Sequence, residues 1–99
     1  MDASYTPSSS GEKHHIDPGQ GTFIILVKQR GNNNDHMSSH IFQNAGLYVK
    51  SINTLTNVNY QGNTSISIEP SESGKAGFYI TINYTNIYGA ITVNILKLR

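Results

Sequence analysis

Between Phe78 and Tyr84 the chain alternates without interruption: Phe78, Ile80, Ile82 and Tyr84 fall on one side, and Tyr79, Thr81 and Asn83 on the other. Two full repeats of period two specify a half-buried β-strand, because successive side chains of an extended backbone point to opposite faces. The same period recurs at 64–69, where Ile66 and Ile68 alternate with Ser65, Ser67 and Glu69 before Pro70 ends the strand. It recurs again from residue 90, with Ile91, Val93 and Ile95 on one face. There the register flips to Leu96 and Leu98, which predicts a bulge or a strand that leaves its sheet to meet a second apolar surface. Phe23-Ile24-Ile25-Leu26-Val27 is a continuous apolar run between Gly21 and Gly31, the pattern of a central strand buried on both faces.

The intervening segments fit the same class. Asn32, Asn33, Asn34 and Asp35 form a turn cluster, residues 38–43 return as a short strand, and Asn44-Ala45-Gly46 breaks it. Leu47 and Val49 alternate with Tyr48 and Lys50, predicting a strand over 47–52. Ile52, Leu55 and Val58 recur every third residue, but Thr54, Thr56, Asn57 and Asn59 form helices poorly, so a turn and another strand are expected there. Turn signals about every ten residues and no convincing helix predict an all-β fold: a single antiparallel β-sandwich or jelly roll of about seven to eight strands. Residues 1–21 hold Ser8-Ser9-Ser10-Gly11 and Asp17-Pro18-Gly19 and almost no large aliphatic side chain except Ile16. They are expected to form a flexible N-terminal arm or linker, with the domain over 22–99.

Composition narrows the function. Charged residues make up 13% of the 99, about half the usual share, and eleven Asn, eleven Ser and eight Thr replace them with neutral hydrogen-bonding groups. A net charge of +1, with basic residues spread singly, argues against nucleic acid or an anionic membrane as partner. No apolar run approaches the roughly 18 residues of a membrane helix, and residues 1–11 lack the apolar core of a secretory signal. The absence of cysteine removes disulfides, thiol catalysis and thiolate metal sites. A chain this short buries only about 60 to 65% of its unfolded surface, so association with further copies would help it considerably.

Catalysis and metal binding find little support. His36 and His40 beside Asp35, and His14-His15 beside Asp17, are partial ligand sets without the spacing of a zinc motif, and a spacing of four is expected to converge only on a helix. No nucleophile elbow occurs, and the six acids fall in the arm, one loop and one turn, as solvated charges do. No catalytic residue, metal or cofactor is therefore expected. The tyrosines offer more. Tyr60-Gln61-Gly62-Asn63 and Tyr84-Thr85-Asn86-Ile87-Tyr88 combine aromatic faces with neutral amides at turns, the groups that hold neutral sugars. Tyr60, Gln61, Asn63, Tyr84, Asn86 and Tyr88 are thus the candidate ligand-binding residues. Outward Tyr79, Thr81 and Asn83 serve equally well as a subunit interface.

The order of features resembles the small C-terminal β-sandwich domains of bacteriophage tail spikes and tail fibres. It runs from a Pro-Gly turn and apolar first strand at 17–27, through Gly46-Leu47-Tyr48-Val49, to two alternating strands at 77–84 and 90–98. The resemblance implies a non-enzymatic homotrimerisation domain on the virion tail or otherwise outside the cell, in some members touching host-surface polysaccharide. It carries over no catalytic residue. The alternative reading is a carbohydrate-binding module of a larger bacterial enzyme or adhesin.

Overall fold

The computed structural model describes residues 2–29, 35–59, 64–84 and 90–99. Eight strands form two antiparallel sheets: β1 (Asp2–Tyr5), β2 (Glu12–Ile16), β3 (Gly21–Gln29), β4 (His36–Asn44), β5 (Lys50–Asn59), β6 (Thr64–Pro70), β7 (Phe78–Tyr84) and β8 (Ile91–Lys97). The first sheet has the order β1-β8-β3-β4-β5 and the second β2-β7-β6, packed as a sandwich. Phe23, Ile25, Val27, Phe42, Ile91, Val93 and Ile95 of the larger sheet meet Ile16, Ile66, Phe78, Ile80 and Ile82 of the smaller one in a single core. Phe42 joins the layers directly, its ring 5.3 Å edge-on from Phe78 and 6.2 Å from Phe23.

The alternation at 78–84 and 91–95 is therefore core pattern, with Phe78, Ile80, Ile82, Ile91 and Val93 fully buried. The central place of β3 also holds. Its burial on both faces does not: Ile25 and Val27 are buried while Leu26 is 39% exposed, because the second sheet covers only one face. The flip at Leu96 produces no bulge either. Register between β3 and β8 runs unbroken from Phe23 opposite Lys97 to Gln29 opposite Ile91, and Leu96 simply points outward opposite Ile24. The irregularity lies on β5 instead. Ser39 faces Thr56 but His40 faces Thr54, so Leu55 is an extra residue, and this bulge accounts for the spacing of three between Ile52, Leu55 and Val58. β5 is thus one strand rather than two. Leu47, Tyr48 and Val49 precede it as an exposed bend, contrary to the strand expected from 47.

Residues 2–5 and 12–16 correct the expectation of a flexible arm. β1 pairs with β8 from Asp2 opposite Asn94 to Tyr5 opposite Ile91, and β2 pairs with β7 from Glu12 opposite Ile82 to Ile16 opposite Phe78. Their ordering comes from ladder hydrogen bonds supplied by partners far along the chain, which local periodicity does not register. Ile16 alone enters the core. The turn between them is held by the Glu12 carboxylate, which accepts from the Ser8 amide at 2.6 Å and the Ser8 hydroxyl at 2.9 Å.

The loop joining β6 to β7 is fastened to the larger sheet through Lys50. Its ammonium donates to Ser71 Oγ and the Glu72 carbonyl, each at 3.0 Å, and to the Lys75 carbonyl. The Gly74 amide donates to the Leu47 carbonyl at 3.1 Å, so the exposed bend at 45–49 is the platform on which this loop rests.

Candidate functional site

Of the residues nominated for ligand binding, Tyr60, Gln61, Asn63, Asn86 and Tyr88 lie outside the described residues. Tyr84 closes β7, its backbone opposite Thr64. Chemistry within the described residues concentrates in three other places.

One is the outer face of the five-stranded sheet. Leu96, Ile24 and Ile41 stand side by side across β8, β3 and β4, and Met37 faces Val58 between β4 and β5. Leu26 is 39%, Leu96 53%, Met37 58% and Val58 65% exposed. Between them lie Ser39, whose hydroxyl meets that of Thr56 at 2.6 Å, and Asn94. Among the described residues, charge enters this face with Asp2, bonded to Asn94 at 3.0 Å, and Lys28. Apolar side chains thus share the solvent-facing side of this sheet, where an isolated sandwich carries mostly polar ones.

The second is the outer face of the three-stranded sheet. Glu69, Tyr79 and His15 form one row across β6, β7 and β2, with Ser67, Thr81 and Lys13 in the next. The Tyr79 hydroxyl donates to the Glu72 carboxylate and accepts from Lys75 Nζ, each at 2.9 Å. The ammonium groups of Lys13 and Lys75 sit 5.4 and 5.1 Å from its ring centre, and Lys13 pairs with Glu69 at 3.1 Å. The Glu72 carboxyl is lowered by its own backbone amide first and by the Tyr79 hydroxyl second, and the same hydroxyl raises Lys75. These are exposed pairs of small energetic value, but together they hold the aromatic ring between Lys13, Lys75, Glu72 and His15.

The third is buried. His36, Ser38 and His40 alternate along β4 and all point inward, each at most 2% exposed. The reading that a spacing of four converges only on a helix is therefore corrected: residues at even spacing on a strand share one face. Thr54 Oγ1 lies 2.9 Å from His40 Nδ1, His40 Nε2 lies 2.9 Å from Ser38 Oγ, and Ser38 Oγ lies 3.1 Å from His36 Nε2. His36 Nδ1 then meets Asn59 Oδ1. His14 and His15, successive on β2, face opposite ways. Among the described residues no three His, Cys, Asp or Glu side chains gather to hold a metal.

An open groove of about 520 Å³ runs over the ends of β3, β4 and β5. Its Asn44 and Lys50 side chains are committed within the fold, Asn44 donating to the Gly19 carbonyl at 2.7 Å and accepting from the Gly46 amide at 3.0 Å.

Burial lowers the pKa of both inward histidines, His40 to about 4, with His36 as a second cause there, while Asn59 opposes the shift at His36. The unfolded chain therefore binds protons more tightly than the folded one. Stability is full above pH 6.5, where free imidazole is neutral, and falls as pH drops toward 4. His40 alone lowers it by about 2 to 3 kcal/mol between pH 7.5 and 4.5. Urea unfolding midpoints at the two pH values measure this, and equal midpoints would contradict it. The Glu12 carboxyl, held down chiefly by the Ser8 amide, and that of Glu72 act below their ordinary 4.5, outside this window.

The inward histidines escaped the sequence reading because polar side chains take the core face of β4 while Met37 and Ile41 take the solvent face. The signal was the even spacing of His36, Ser38 and His40. No protein-family model, curated protein or solved structure matches the chain.

Proposed function

We propose that this chain is a non-enzymatic assembly domain of the kind that closes bacteriophage tail spikes and tail fibres, acting as a homotrimer on the virion tail or otherwise outside the cell. The observation that supports this reading best is the apolar outer face of the five-stranded sheet. Ile24, Leu26, Ile41, Met37, Val58 and Leu96 leave it incomplete in an isolated chain, and three copies turning this face toward a common axis would bury it. The neutral Ser, Thr and Asn side chains around the stripe lower the desolvation cost of such contact relative to charges.

Light scattering on a gel-filtration column at tens of micromolar is expected to give about three times the 10.9 kDa chain mass. Leu26→Lys combined with Leu96→Lys is expected to shift it to the single-chain mass with an unchanged circular dichroism spectrum. A wild-type monomer at that concentration would overturn the proposal.

A second reading, host-surface polysaccharide or other glycan binding, is favoured by the Tyr79 ring fixed on the outer face by Glu72 and Lys75, with the hydroxyls of Ser67 and Thr81 in the neighbouring row. On this reading the chain serves as an attachment surface or as a carbohydrate-binding module of a larger enzyme or adhesin. A glycan array probed with wild type, Tyr79→Ala, Tyr60→Ala and Tyr88→Ala separates the possibilities. Binding lost with Tyr79→Ala selects the three-stranded face, loss with the other two selects the turns, and no binding by wild type removes the reading.

A further inference from the structure

One set of hydrogens satisfies every partner along the buried chain. Asn59 Nδ2 donates to Asn57 Oδ1 at 3.4 Å, so Asn59 Oδ1 is the acceptor and His36 Nδ1 carries hydrogen. Neutral His36 then accepts at Nε2 from the Ser38 hydroxyl. Ser38 Oγ in turn accepts from His40 Nε2–H, and His40 Nδ1 accepts from the Thr54 hydroxyl. All four hydrogens run one way, from Thr54 toward Asn59.

One added proton fits this chain at either end. Placed on His40 Nδ1, it donates to Thr54 Oγ1 once the exposed Thr54 hydroxyl turns its hydrogen to water. His40 Nε2–H can then pass to Ser38 Oγ as the Ser38 hydrogen passes to His36 Nε2. The charge moves to His36, His40 is left neutral with hydrogen on Nδ1, and no bond is lost. A second proton does not fit. Ser38 Oγ would face two N–H donors, its own hydrogen would have no acceptor in the chain, and two cations would flank one oxygen. The second proton is expected to bind about a hundredfold more weakly.

We propose that Thr54, His40, Ser38, His36 and Asn59 form a one-proton relay that latches edge strand β5 to β4, and that loading the relay in acid releases β5 ahead of the rest of the sandwich. No charged residue of the described chain faces the relay. β3 presents Ile25, Val27 and Gln29 on its side, β5 presents Thr54, Asn57 and Asn59, and the buried residues of β7 and β6 are Phe78, Ile80, Ile82 and Ile66, all apolar. An imidazolium there gains water most cheaply by lifting β5. Among the described strands β5 pairs with β4 alone, exposes nearly every residue, and is already interrupted by the bulge at Leu55, beside the Thr54 to His40 bond.

Nitrogen NMR of the imidazoles of the full chain from pH 7.5 to 3.5 tests the relay. His36 and His40 are expected to take up one proton between them and change together, while two independent full titrations near pH 6.5 would overturn it. Asn59→Asp, an exposed substitution that keeps an oxygen on His36 and gives up only the long bond to Asn57, is expected to raise proton affinity at least tenfold and to move the His40 hydrogen from Nε2 to Nδ1. A response confined to His36 would overturn the relay. Amide hydrogen exchange at pH 7 and 4.5, corrected for intrinsic rates, is expected to rise at least tenfold in β5 and not in β7 or β8. A uniform rise in all strands would overturn the latch.

Discussion

Replacing Gly77 by alanine is expected to destabilise the protein by about 3 kcal/mol or more, a large part of what a domain of this size has to lose. Gly77 enters β7 with φ +85°, in the left-handed region, where a side chain alone costs about 1 kcal/mol. Its surroundings cost more. A Cβ there would land on the Ile16 carbonyl oxygen and 2.9 Å from Asp17 Cα, both backbone atoms at the end of β2. The Gly77 carbonyl meanwhile accepts from the Ser71 amide at 3.1 Å and the Ser71 hydroxyl at 2.8 Å, so the residue cannot swing aside without breaking the loop closure. The alanine must therefore push β2 off β7, taking Ile16 from the core. Gly19→Ala supplies the control, because Gly19 has φ +90° but no atom within 4 Å of a Cβ. It is expected to lose only about 1 kcal/mol in the same denaturant titration. Equal losses in the two variants would show that β2 is not seated as described.

The strands that the sequence makes legible are those whose core face is apolar and whose partner is close in sequence or equally patterned. Phe78, Ile80 and Ile82 on β7 and Ile91, Val93 and Ile95 on β8 are of this kind, and so is β6 with its terminal Pro70. β4 is not. Its inward face reads His36, Ser38, His40, Phe42 and Asn44, and its outward face carries Met37 and Ile41, so binary patterning assigns the faces the wrong way round. β1 and β2 were hidden for another reason. Four and five residues with a single core side chain between them are ordered by ladders to β8 and β7, 62 to 92 positions away, and no window of local sequence contains that information. The bend at 47–49 misled in the opposite sense. Leu47 and Val49 alternate as a strand does, yet they serve as a surface rest for the 71–77 loop, which the Lys50 ammonium draws in. The apolar stripe on β3 is visible in sequence as the run from Phe23 to Val27, which reads as double-sided burial within one chain. On the proposed reading the second cover comes from other copies, which no single-chain periodicity can distinguish from a second layer of the same chain.

Phe42→Ala provides the sharpest contrast between the two faces of that sheet, with an expected loss of about 3 to 5 kcal/mol. Phe42 is fully buried on β4, stacked at 26° on Phe23 and edge-on to Phe78, and so belongs to both layers at once. Deleting its ring leaves a cavity between sheets whose backbones are held apart by Phe23 and Phe78, and aromatic contacts of this geometry add to the cost of lost burial. Leu26→Ala, one strand away but on the outer face, removes a side chain that is already 39% in water. In the separated chain it is expected to cost no more than about 1 kcal/mol. The order reverses when association is measured. Phe42→Ala, assayed under conditions where it stays folded, is expected to leave the assembly constant nearly unchanged, because its ring never reaches the outer surface. Leu26→Ala weakens assembly while scarcely touching the unfolding of the separated chain. Denaturant titration of dilute chains, set beside sedimentation of concentrated ones, reads the two effects independently. If Phe42→Ala and Leu26→Ala cost the same in the first measurement, the core does not lie between the sheets. If neither changes the second, the outer stripe is not the surface through which copies meet.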